Sequence, residues 1–228
     1  LGLVTPFLEA EYDPFFGTET RLLVTGVSHS DGGLDLDDFT LSSQALRLEG
    51  EMSMAAGGQL LHAALEGQVT PPDGDRVVLP VAEPRITLQA AQISGLYDKS
   101  NGDGWVLNLT AEEVDTPDLR LGRARIAAEG TLTTGPTGAH VTGALQSALT
   151  GLAFADPALN RAIGANITLD GQFDLPPDQS LTLSAVELNG ADFTATADAM
   201  IDGLTSGFAM DGKVTLSASD LSRFSDLA

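Results

Sequence analysis

Cysteine is absent from the 228 residues. That removes disulfides, thiolate metal sites and cysteine nucleophiles together, and it leaves the redox compartment open, because a periplasmic protein need not carry disulfides. Aromatic residues are only 5 % of the chain against 43 % apolar residues overall, so any interior is built of Leu, Val, Ile and Ala rather than of rings. Base is scarce too: 11 Lys and Arg stand against 32 Asp and Glu, a formal charge of −21. Such a surface repels polyphosphates and anionic bilayers, which excludes nucleic-acid binding. Its plainest use is solubility. No apolar run approaches the ~18 residues that a membrane-crossing helix needs, so the piece itself is expected to be soluble. The chain opens on Leu1 rather than Met, as expected of a segment of a longer protein, and a missing targeting sequence then carries no information.

Catalytic and metal-binding patterns are missing as well. His29, His62 and His140 are far apart in sequence and fall in no HxH or HxxxH spacing. "GVSHS" from Gly26 and "GLTSG" from Gly203 miss the spacing of a serine-nucleophile elbow. "DKSNGDG", Asp98 to Gly104, offers oxygens near glycines, but a calcium EF-hand needs Gly at its sixth position and Glu at its twelfth, where this chain has Asp103 and Leu109. It is expected to be a hairpin turn. The acidic "SDGGLDLDD" from Ser30 lacks the repeated nonapeptide of calcium β-rolls. Asn108 and Asn166 stand in N-x-T sequons inside predicted strands, where chance explains them. The neighbouring acids Asp37 with Asp38 and Glu112 with Glu113 point to opposite faces of a strand and cannot share a substrate. The expectation is a protein that is not an enzyme and holds no metal and no cofactor.

What the chain does have, from end to end, is period-two alternation, the mark of half-buried strands. Leu46, Leu48, Met52 and Met54 share a parity opposite Arg47, Glu49, Glu51 and Ser53. Leu61, Ala63, Leu65 and Val69 follow, and after the turn chemistry of Thr70 to Asp75 come Val77 to Val81. Pro80 and Pro84 bracket a strand expected over Ile86 to Ile93, with Ile86 and Leu88 on its apolar side. Trp105, Leu107 and Leu109 oppose Asn108 and Thr110. Leu119 and Leu121 are odd, whereas Ala124, Ile126, Ala128 and Leu132 are even, which predicts a bulge or turn near Gly122. Val141, Leu145 and Leu149 lead to "NITLDGQFDL", where Ile167, Leu169, Phe173 and Leu175 face away from Thr168, Asp170, Gln172 and Asp174. Leu181 and Leu183 come next, and Phe208, Met210, Val214 and Leu216 form the last stripe.

Helix is scarce. Residues 156–163 form one short case, with Asp156 as N-cap, Pro157 at the first helical position and Gly164 as the stop, and the spacing of Leu221, Phe224 and Leu227 fits a terminal turn or two. Glycines recur within the stripes at Gly50, Gly67, Gly130, Gly171 and Gly212, at intervals too uneven for a strict repeat. Glycine on an apolar face lets a sheet bend sharply. Three architectures satisfy the pattern: a β-sandwich, a closed barrel, or one long antiparallel sheet folded into a trough. Periodicity alone does not choose among them.

"PDGDRVVLPVAEPRITLQAAQIS" from Pro72 and "SNGDGWVLNLTAEEV" from Ser100 resemble the central part of the TamB family, the large periplasmic subunits of the translocation and assembly module, within the wider AsmA-like group. "DPALNRAIGANITLDGQFDL" from Asp156 and "GFAMDGKVTLSASDLSRFSDLA" from Gly207 are similar to that family's recurring units, which end in a strand and a short "DLS" turn. The likeness runs from about Gly33 onward and fades over Leu1 to Gly32.

The resemblance implies an all-β fold: a long antiparallel sheet curled into a β-taco, a groove with an apolar interior, with one or two short helices. The chain would be one continuous fragment, residues 1–228, with any sub-unit break near 150–165. The parent would be anchored in the inner membrane, reach through the periplasm and engage a TamA-like outer-membrane barrel protein. Its work would be inter-membrane phospholipid transport and outer-membrane protein assembly, with phospholipid acyl chains against the apolar stripes named above. About 14 strands at ~4.8 Å each would give a groove roughly 65 Å long. The competing expectations are a closed sandwich serving as a structural or adhesive module, and a platform that guides nascent β-strands by edge pairing.

Overall fold

The computed structural model describes residues 9–81, 84–135, 138–202 and 209–227. The alternating stretches become strands: β1 Arg21–Ser28, β2 Leu34–Ser42, β3 Leu46–Met54, β4 Leu60–Val69, β5 Val77–Val78, β6 Thr87–Leu88, β7 Ala90–Asp98, β8 Gly104–Asp115, β9 Leu119–Gly135, β10 Gly138–Thr150, β11 Ala153–Phe154, β12 Asn166–Leu175, β13 Leu181–Asn189, β14 Phe193–Asp202 and β15 Ala209–Ala218. All belong to one sheet, and every pairing in it is antiparallel. Twelve strands form its main path, β1-β2-β3-β4-β7-β8-β9-β10-β12-β13-β14-β15; the β5–β6 hairpin and β11 attach beside it. β1 and β15 are the edges and do not pair with each other, so the sheet is not a closed barrel. Nor is there a second sheet among the described residues to make a sandwich. At ~4.8 Å per strand the main path spans roughly 50 Å, shorter than the count of 14 strands suggested, because three strands lie off it.

Glycine bends this sheet toward its apolar side. A Cβ added to Gly143 would lie 2.6 Å from the Glu129 carbonyl oxygen, 2.8 Å from the Trp105 ring and 3.0 Å from the Phe173 ring. At Gly50 it would meet the Ala64 carbonyl oxygen at 2.5 Å and the Phe39 ring at 2.6 Å, and at Gly212 the Asp198 carbonyl oxygen at 2.6 Å. Gly130, directly opposite Gly143, would drive a Cβ into the Thr142 carbonyl. Neighbouring strands therefore approach one another on the apolar side more closely than side-chain-bearing residues allow. Large side chains lean over the vacated positions: Trp105 and Phe173, three strand spacings apart, bring their ring centroids to 6.0 Å above the Gly130–Gly143 pair.

The two rims of the sheet differ. One carries plain turns at 29–33, 55–59, 99–103 and 176–180. The other is capped by short elements. α1 (Asp13–Phe16) tucks Phe15 against Ala45, Val69, Val77 and Leu88, tied down by Ala45 N–H donating to the Phe15 carbonyl at 3.0 Å and the Ser43 hydroxyl donating to it at 2.8 Å. Beyond it Leu152 packs with Ala111, Leu121 and Ala124. α2 (Pro157–Ile163) begins as its sequence requires, Asp156 accepting the Ala158 N–H at 2.8 Å, and stops at Gly164 with φ +81°. It rests on the two turns of 3-10 helix Leu221–Leu227, joined by Arg223 Nε donating to the Arg161 carbonyl at 2.9 Å and by the ion pair Arg161–Asp226, while the Arg223–Asp192 ion pair and Phe224 meeting Phe193 edge-on at 5.8 Å tie the same turns to the start of β14. The sheet continues across this segment, β12 pairing along its full length with Val141–Thr150 of β10.

The phase change near Gly122 is present: Glu113, at φ +52°, stands opposite it, and Val114 and Leu121 turn to the same side as Ala111 and Ala124. The strand expected over Ile86 to Ile93 is not continuous. Ile86 lies outside any strand, β6 is two residues long, and β7 starts afresh at Ala90 after the Gln89 side chain bonds the Gly74 carbonyl at 2.9 Å. The run Val77 to Val81 likewise shrinks to β5, because Pro80 cannot donate to a ladder.

Gly130→Val and Gly143→Val should each lower stability by about 3 kcal/mol or more, whereas Gly95→Ala, whose new Cβ meets nothing nearer than Leu107 at 3.7 Å, should change it by under about 1 kcal/mol. Urea unfolding of the three variants checks this.

Candidate functional site

The pairing register carries the apolar stripes across the whole sheet. One row reads Leu22, Leu41, Leu48, Gly67, Ile93, Leu109, Ile126, Ser147, Leu169, Leu188, Ala195 and Leu216, each directly opposite the next. The next row reads Val24, Phe39, Gly50, Leu65, Gly95, Leu107, Ala128, Leu145 and Gly171, crosses to Val186 at the bulge, and ends in Ala197 and Val214. A third holds Gly26, Leu36, Met52, Ala63, Tyr97, Trp105, Gly130, Gly143, Phe173, Leu183, Ala199 and Gly212. In the first two rows Ser147 is the one side chain that carries a polar atom. β12 displays the result: Ile167, Leu169, Phe173 and Leu175 are half-buried while Thr168, Asp170, Gln172 and Asp174 are exposed.

Bulges hold these rows in phase. β2 inserts Asp37 and Asp38 opposite Glu51, so that Leu34 and Leu36 on even positions and Phe39 and Leu41 on odd ones all reach the same face. β13 does the same at Ala185, whose φ is +49°. β4 does it at Leu61, the extra residue between the pairs Ser53–His62 and Met54–Leu60.

Of the residues named from sequence, Leu46, Leu48, Met52, Met54, Leu65, Trp105, Leu107, Leu109, Ile126, Leu132, Leu145, Leu149, Ile167, Leu169, Phe173, Leu175, Leu181, Leu183, Met210, Val214 and Leu216 stand on this one face. Leu61 is the bulge residue, Ile86 precedes β6, and Leu88 is buried opposite Val77 beneath the capped rim. Phe208 lies outside the described residues. Sequence reasoning missed β1, β2 and β14. In β14 the stripe is Ala195, Ala197, Ala199 and Ile201, and alanine gives little strand signal; in β2 the bulge breaks the parity that would have revealed it.

The opposite face is mainly polar, its charged groups mostly acidic, with Leu23 and Val27 of β1 and the Leu96–Val106 pair exposed upon it. Arg76 bonds Glu113 at 2.7 Å and Asp115 at 3.2 Å, Arg123 bonds Glu112 at 2.6 Å, and Arg47 pairs with Glu49. The three histidines are separate, each held by one carboxylate: His29 by Asp35 at 2.7 Å, His62 by Glu51 at 3.1 Å and His140 by Asp174 at 2.8 Å. Open hollows on this face are lined by Arg47, Glu49, Glu66, Gln68, Gln92, Ser94, Asn108 and Thr110. Among the described residues no three His, Asp or Glu side chains converge as a metal site. "DKSNGDG" is the β7–β8 turn, closed by the Tyr97 hydroxyl and the Lys99 ammonium on Asp103 at 3.1 and 3.2 Å. What the geometry offers chemically is an extended hydrocarbon surface, half shielded by its own curvature.

No family model, no curated protein and no solved structure matches the chain.

Three turns are held by an aspartate that accepts from the serine two residues on: Asp98 from Ser100, Asp178 from Ser180 and Asp220 from Ser222. In each the serine hydroxyl, then the backbone N–H, holds the carboxyl below its usual 3.8. Their contribution to stability is complete above that value and is lost as the pH falls through the lower folded one. His29 has the opposite sign: Asp35 raises it above 6.5, so this pair stabilises the β1–β2 hairpin in acid and its contribution fades as the pH rises through the folded value. Replacing Ser100, Ser180 and Ser222 by alanine should weaken the protein at pH 7 and leave it no weaker than the parent near pH ~2, as read from urea midpoints at the two values.

Proposed function

We propose that the chain is a hydrophobic-groove module that carries the acyl chains of phospholipids. The observation that supports this best is the uninterrupted apolar face, twelve strands long and without a second layer upon it among the described residues. An enzyme pocket is local, whereas this surface is extended in one direction. Moving a 16-carbon tail from water onto it gains up to ~0.8 kcal/mol per CH₂, about 12 kcal/mol in all. Most of the lining is aliphatic, so a tail meets nearly the same environment at each step and can slide. The headgroup rides at the rim in water.

In the setting that the TamB-like resemblance suggests, the chain is a section of a periplasmic bridge that is anchored in the inner membrane and meets a TamA-like barrel, serving phospholipid transport and outer-membrane protein assembly. The net charge of −21 then disfavours anionic headgroups.

Lipid extracted from the purified chain and identified by mass spectrometry tests the reading. Diacyl phospholipid should be recovered, with zwitterionic species retained over phosphatidylglycerol; lipid-free protein from a lipid-rich host would overturn it. Leu169→Asp should keep its strand signal in circular dichroism and lose about tenfold or more of the bound lipid, since nothing but the groove opposes the new charge.

A further inference from the structure

The middle of the apolar face is bridged by two rings. Trp105, the only tryptophan, stands opposite Gly130, which stands opposite Gly143, which stands opposite Phe173. On a flat sheet three strand spacings would keep the roots of the two side chains about 14 Å apart. The glycines between them leave the space empty, so both rings lie down toward the middle and their centroids come to 6.0 Å, tilted by 39°. Each reaches the Gly143 position, where a Cβ would lie 2.8 Å from the indole and 3.0 Å from the Phe173 ring. The first two rows carry no aromatic ring on these four strands.

The bridge stands beside the rim of plain turns, Trp105 just after the turn at 99–103 and Phe173 just before the one at 176–180. It therefore lies between that rim and the first two rows. The other rim is closed by the Phe15 and Leu152 clusters, so a headgroup in water rides the rim of plain turns and its tail crosses the third row. From β8 to β12 the rings stand in that crossing. Tyr97, directly opposite Trp105, is pinned by its hydroxyl donating to Asp103 at 3.1 Å. Trp105 has no such tie: its Nε1–H is buried without an acceptor, one of two such side-chain atoms among the described residues. A buried donor without a partner costs free energy that packing must offset, and a ring that swings toward the rim recovers it from water or from an ester oxygen.

We propose that Trp105 and Phe173 form a gate across the middle of the groove, which an acyl chain opens by lifting the indole off the glycine pair. This rests on the groove reading above and adds a control point to it. Closed, the rings cover Gly130 and Gly143 and divide the third row into a stretch on β1 to β7 and another on β13 to β15. Open, the indole lies against the tail and its N–H finds an acceptor at the rim. Phe173, which has no polar atom to satisfy, stays as the fixed leaf. A sliding tail is thus resisted at one place, while the aliphatic remainder of the face lets it pass.

The single tryptophan makes the test direct. The chain is equilibrated with vesicles of phosphatidylcholine brominated on its acyl chains, reisolated, and its bound lipid counted by mass spectrometry. Bromine quenches an indole only in near contact, so Trp105 emission should fall several-fold against the same lipid without bromine. Phe173→Leu, shown to fold by circular dichroism, keeps the tryptophan and removes the ring it rests against; it should pass bound lipid to acceptor vesicles several-fold faster than the parent. Bound lipid that leaves Trp105 unquenched, or a Phe173→Leu transfer rate equal to the parent's, would overturn the gate and leave the groove reading standing. A chain that takes up no lipid overturns both. The quenching is read on the parent chain, so it decides even where Phe173→Leu does not fold.

Discussion

A single sheet has two faces and nothing to lay over either of them. When one face is made of leucine, valine and alanine, the sheet must supply its own cover, and here it does so by bending. The bend is possible only where side chains are missing, at Gly50, Gly130, Gly143 and Gly212, whose added Cβ atoms would strike the carbonyls of the next strand. Trp105, Phe173 and Phe39 then fill from the side what the glycines leave open. The same residues that shape the groove also shield its floor.

Burial is divided accordingly. The fully packed clusters sit at the capped rim, around Phe15, Val77 and Leu88 and around Leu121 and Leu152, away from the open turns. The face itself stays half-buried along β12 and becomes exposed along β1 and most of β15. Rigidity is thus concentrated along one border, and the remainder of the apolar surface is left free to accept something else.

The strands that could be read from sequence were those with strong alternation and unbroken parity: β3, β8, β12 and the stripe of Met210, Val214 and Leu216. Asp156, Pro157 and Gly164 marked α2 because capping is local chemistry, and the odd-to-even change near Gly122 marked a real change of phase. Non-local features were hidden. Nothing in Thr70 to Ile93 announces that Val77 and Leu88 pair beneath Phe15, since that cluster joins residues more than sixty positions apart. The Asp37–Asp38 bulge turned β2 into two half-patterns of opposite parity, and the alanines of β14 carried too little hydrophobic contrast to be seen. The apolar face was legible; its depth and its capped border were not.

The order of strands has one more effect. Along the main path each strand lies beside its predecessor in the chain, save where the β5–β6 and β11–α2 insertions intervene, and no long-range closure joins the first strand to the last. The entropic toll of bringing distant segments together, which slows most all-β proteins, is largely avoided. Such a chain can zip up one hairpin at a time from whichever end is available, much as a solenoid grows by adding repeats to a finished neighbour.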